Sequence, residues 1–170
     1  MNHEMKQYRV AKEPPTPLKW LLLILLVWLF AMLQSAFLSY VPIFGATVEL
    51  TAALILLSGW KRGPVVGAVL GIIGGVLLDA LMGQSVSILP LLLFAFGAYA
   101  AFAAKQLFDH PLTYMLMTLP AYIVIGIWRA VNVGRFSHLF AVLFAGVIGS
   151  LIVYIPAAVK YFRGTSKGTF

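Results

Sequence analysis

The chain has 170 residues, 62% of them hydrophobic and 10% charged, with a mean hydropathy of +0.98. A soluble domain is roughly half apolar and about a quarter charged, so the composition describes an integral membrane protein in which one bundle takes up nearly the whole chain. A net charge of +7 would suit nucleic acid, but the Lys and Arg flank apolar spans as orientation signals do, and the lack of cysteine excludes disulfides, thiolate catalysis and cysteine metal sites.

Residues 1–17 read as a cytoplasmic polar tail, in which Pro14, Pro15 and Pro17 favour extended backbone. The first span is expected from Leu18 to Val41, with Lys19, Trp20 and Tyr40 as interfacial anchors. It is too long for a signal-peptide core and reads as a retained anchor. Gln34 and Ser35 lie at lipid depth and are expected to hydrogen-bond a neighbouring helix. After a turn at Pro42–Gly45, a short second span is expected from Ala46 to Trp60, with Ile43 its earliest start and Glu49 just inside it.

Lys61-Arg62-Gly63-Pro64 reads as a tight inner turn, followed by a third span ending near Met82. Gly63, Gly67, Gly71 and Gly75 recur at every fourth position, which on a helix makes one stripe open to close backbone approach. Asp79 is a carboxylate near the far end of that span, where an unpaired charge is costly. A turn at Gly83-Gln84-Ser85 leads to a fourth span, Val86 to Ala104, with Pro90 in its opening turns and a small-residue inner half. The Lys105–Pro111 loop offers Asp109 or His110 as a cap for a fifth span, Leu112 to Val131, kinked at Pro120. Asn132–Ser137 reads as an outer loop, and His138 to Ala158 as a sixth span with Gly146, Gly149 and Ser150 as its small face.

The expected architecture is therefore an all-α polytopic bundle of six transmembrane helices over residues 18–159, with tails at 1–17 and 160–170. Ten of the twelve basic residues fall on the side of the tails, which places both termini in the cytoplasm. In this topology Glu49, Asp79 and Arg129 reach similar depths toward the outer leaflet. Arg129 is expected to pair with one or both carboxylates, either holding the bundle together or forming the floor of an outward pocket. The alternative is that Arg129 snorkels to the headgroups and Asp79 is hydrated. His3, His110 and His138 share no spacing with an acid or nucleophile that suggests a triad or metal site, and the glycine run is helical and apolar, the wrong setting for a phosphate cradle. No enzyme activity and no cofactor are expected.

An ordered set of residues carries a family resemblance: Gln34-Ser35, the acid at Glu49, Arg62-Gly63-Pro64, the glycine stripe and Leu78-Asp79. Together they resemble the bacterial rod shape-determining protein MreD family, from Leu33 to about Tyr99, and more weakly after Lys105. The chain departs from that pattern at Val48-Glu49, where the family often has Pro-Asp, and in its longer proline-rich tail. The resemblance implies a non-enzymatic subunit of the cell-wall elongation machinery in the bacterial inner membrane. It would bind MreC and, through it, support RodA, its transpeptidase partner and MreB, with membrane lipid or a second copy as further partners and no nucleic acid. It also implies a six-helix fold similar to the substrate-binding subunits of energy-coupling-factor vitamin transporters, which supplies the alternative function. That family docks its transporter through small residues of the first helix, where this chain offers Ala31 and Ser35.

Overall fold

A computed structural model describes residues 15–42, 46–83, 87–106, 111–133 and 137–165. The expectations for the first fourteen residues, for Asp109 and His110, for the loop around Arg135 and for the last five residues lie outside the described residues, as do the side chains of Asn132 and His138. The described residues form six α-helices: α1 (Pro17–Ala36), α2 (Leu50–Arg62), α3 (Pro64–Leu81), α4 (Leu89–Gln106), α5 (Pro111–Val133) and α6 (Ser137–Thr165), with a short 3-10 turn at Leu38–Tyr40 after α1. Four segments are long and apolar enough to cross a membrane: Pro17–Tyr40, Pro64–Leu81, Tyr114–Val131 and Leu139–Pro156. Their outward faces carry leucine, isoleucine, valine and phenylalanine, as lipid contact requires. The fold is that of an all-helical, multi-pass membrane protein.

Local chemistry sets most helix ends. Pro17 and Pro64 occupy first-turn positions, where the missing N–H costs nothing. Gly63 joins α2 to α3 at φ 105°, ψ 171°, a region open essentially to glycine. Its N–H closes α2 on the Gly59 carbonyl at 3.0 Å, and its own carbonyl accepts from Gly67 at 3.1 Å. Gly83, at φ 64°, follows the end of α3.

Several boundaries differ from the sequence expectation, among them the start of the fourth helix, at Leu89 and not Val86. The second helix begins at Leu50, not at Ala46, so Glu49 stands before it as its N-cap. The cause is tertiary: residues 46–49 satisfy themselves by contacts with α1, α5 and α6, described below. The first helix stops at Ala36, where hydroxyls compete for backbone carbonyls. Ser35 donates to Met32 and Ser39 donates to Ser35. The sixth helix continues through Pro156 to Thr165, past the expected boundary at residue 159.

At 13 residues α2 is about 20 Å long, short of a bilayer core. It is nevertheless the axis of the bundle, because all five other helices pack against it. Ten of its residues, Leu50 to Trp60 apart from Leu57, are buried. Around it, α1 packs on α2 and α3, α3 pairs with α4, and α5 pairs with α6.

Among the described residues, α3 and α4 are the most extensively packed pair. A Cβ added at Gly67 would strike the carbonyl of Gly97, at Gly71 that of Leu93, and at Gly75 the backbone of Pro90. Contacts step forward along α3 and back along α4, so the two helices are antiparallel. Gly59 of α2 meets the same Gly97 carbonyl, making a three-helix junction without side chains. The glycine stripe is thus occupied by the chain's own fourth helix. Gly63 does not belong to it: a Cβ there meets nothing, and the residue acts as a hinge.

Candidate functional site

Three chain ends meet where α1 finishes, α2 starts and α5 finishes. Glu49 is buried there, with 2% of its side chain exposed. One carboxylate oxygen makes an ion pair with Nη2 of Arg129. The other accepts a hydrogen bond from Nε2 of Gln34 at 2.9 Å. Gln34 is fully buried, and its Oε1 accepts the backbone N–H of Thr51 at 3.0 Å. That N–H is one of the unpaired donors in the first turn of α2, so the cap of α2 is supplied by α1. Nη1 of Arg129 donates to Oγ1 of Thr47 at 3.1 Å. The cluster therefore ties α1, the segment before α2, the first turn of α2 and α5 into one polar knot. Gly149 of α6 packs closely on it, since a Cβ there would come within 3.2 Å of the Glu49 carbonyl oxygen.

The placement of a carboxylate at the start of α2 is also favourable to the helix dipole. Charge, dipole and hydrogen bonds all act in the same direction. Arg129 keeps 21% of its side chain exposed, so the knot is open to its surroundings at the arginine and closed at the acid.

Asp79 is elsewhere. Its carboxylate accepts the backbone N–H and the hydroxyl of Ser87, both at 2.8 Å. Ser87 Oγ in turn accepts the N–H of Leu89, the first residue of α4, at 3.0 Å. Asp79 thus caps α4 through a serine relay and fixes the connection between α3 and α4. Of the three charged residues read from the sequence, Glu49 and Arg129 come together, while Asp79 serves another task.

A third polar group lies inside the bundle. Tyr122 and Ser150 share a hydrogen bond at 2.9 Å, joining α5 to α6. Tyr114 donates to the Ala53 carbonyl at 3.0 Å, stacks on Tyr154 at 4.8 Å and meets Trp60 edge-on at 6.2 Å. These contacts fasten α5 and α6 to the axial helix.

Sequence reasoning placed Gln34 against a neighbouring helix but did not include it, Thr47 or Ser87 among the site residues. The available signal was an amide near the end of a leucine-rich span, which must find a partner or face water. Ser87, two residues before Leu89-Pro90, had the look of a helix start, with Pro90 in the first turn. No cluster of three or more potential metal ligands occurs among the described residues. Comparisons of the chain with models of known protein families, with curated proteins and with solved structures gave no match.

Proposed function

We propose that this chain is a non-enzymatic scaffold subunit of a bacterial cell-wall elongation complex. It would lie in the inner membrane with both termini in the cytoplasm, all six helices embedded, and bind MreC. Through MreC it would support RodA, its transpeptidase partner and MreB. The observation that carries this reading is the use made of the intramembrane charges. Glu49 is held by Arg129 and Gln34, and Asp79 by Ser87. Each carboxylate is engaged in holding helices together, which suits a rigid docking block better than a group that must exchange protons with a substrate. The ordered residues shared with the MreD family point the same way.

The scaffold reading allows a partner helix two receptors, the glycine stripe or an outer groove, and the fold favours the second. A partner helix cannot enter the glycine stripe, which α4 fills. The partner must take an outer surface of the bundle. The vitamin-transport alternative has less support, because Ala31, half of the small-residue pair on the first helix, is fully buried against the core.

Affinity capture of the tagged full chain from native membranes tests the proposal. MreC is expected to copurify, and loss of the gene product is expected to convert rods to spheres. Capture without MreC, with a vitamin-sized molecule retained on the purified chain, would overturn it in favour of transport.

A further inference from the structure

The bundle carries a further polar feature, at the end opposite the Glu49–Arg129 knot. The first turn of α1 and the last turn of α2 meet there, around a lateral cleft of about 220 Å³. It is lined by Lys19, Leu22, Leu23, Leu26 and Arg62. Lys19, Leu22, Leu23 and Leu26 fall three, four and seven residues apart, which places them on one face of α1. The cleft therefore has a cationic rim and a leucine floor running away from it along the helix, toward the membrane interior.

Lys19 and Arg62 are exposed, and neither has an ion-pair partner among the described residues. Both stand at helix ends, beside apolar runs, as basic residues that flank membrane spans do. Two unpaired cations above an apolar slot match one class of ligand: an anionic glycerophospholipid, with its phosphate between Lys19 and Arg62 and an acyl chain along Leu22 and Leu26. A basic pocket between transmembrane helices is a known way to hold such headgroups. Arg62 suits a phosphate in particular, because its guanidinium donates in a planar fork.

We propose that the Lys19–Arg62 cleft is a binding site for an anionic phospholipid. The site rests on the membrane placement of the bundle and not on the scaffold function. The lipid would bridge the first helix to the end of the axial helix, on the face where α1 is joined only to α2 and α3.

The test uses the full chain in a zwitterionic detergent, with bound phosphatidylglycerol and phosphatidylcholine measured by native mass spectrometry. Phosphatidylglycerol is expected to be retained preferentially by the unaltered protein. The double variant Lys19→Gln with Arg62→Gln is expected to bind it about twenty-fivefold more weakly, at about fivefold for each basic residue near the headgroup. A control, Lys6→Gln with Lys167→Gln, removes the same net charge from the two terminal segments and is expected to bind as the unaltered chain does. Equal losses in the two double variants would show a bulk charge effect and overturn the site. So would equal retention of the two lipids. Competition by soluble glycerol 3-phosphate as strong as by the lipid would show a free-phosphate site and overturn the acyl-chain assignment. Because Lys19 and Arg62 are exposed, the variants are expected to fold, and an unchanged melting curve in detergent without lipid checks this.

Discussion

Arg129 and Glu49 stand 80 positions apart in the chain and form an ion pair with only the arginine reaching outward. Removing one partner leaves the other charge buried and unpaired, which costs about 3–5 kcal/mol, whereas removing both charges together is far cheaper. Arg129→Ala is therefore expected to lower stability strongly, and adding Glu49→Gln is expected to restore most of it, since Gln34 still finds an amide oxygen to donate to. Equilibrium unfolding in detergent measures both. A double variant as unstable as the single one would show that Arg129 acts by some means other than pairing. Asp79 works on a smaller scale. Asp79→Ala takes the acceptor from the partly buried Ser87 N–H, which costs less than the about 1–3 kcal/mol of a fully buried donor. Faster amide exchange is expected at Ser87 and Leu89, with little change at Thr51; equal acceleration at Thr51 would contradict the separation of the two polar groups.

At the scale of elements, the glycines divide into two kinds. Gly67 and Gly97 set the distance between α3 and α4, since either Cβ would enter the facing carbonyl. Gly63 has open space around it and is needed for its backbone angle alone. Gly63→Ala is expected to cost about 1–3 kcal/mol from that angle and to leave helix packing intact. Gly67→Leu is expected to force α3 from α4 and to reduce the assembled fraction on size exclusion. Cross-linking between cysteines placed on the two helices separates the cases: it should persist in the first variant and fail in the second. The short axial helix depends on such close approach, because α2 cannot span a bilayer core by itself and is enclosed by the others.

For the whole molecule, the strongest expectation concerns orientation. With ten basic residues on the tail side and two on the other, reporter fusions at either terminus are expected to report the cytoplasm. One terminus found outside would require an odd number of crossings, and both found outside would invert the placement of Lys19 and Arg62. The same bundle then has a polar knot at one end, a cationic cleft at the other, and glycine and tyrosine contacts between.

Composition and the apolar runs by themselves determined that the chain is a helical membrane protein. They also placed the Pro17, Gly63-Pro64 and Gly83 boundaries, because hydropathy, proline and glycine act through the local chain. Tertiary structure alone decided which acid takes Arg129, which helix fills the glycine stripe and where α2 starts. Each of those depends on how helices rotate about their axes and approach one another, and spacing along the chain carries no measure of that. Val48-Glu49 read as the opening of a span because an unbroken apolar run follows it; it meets Gln34, Arg129 and Gly149, which come from three other helices.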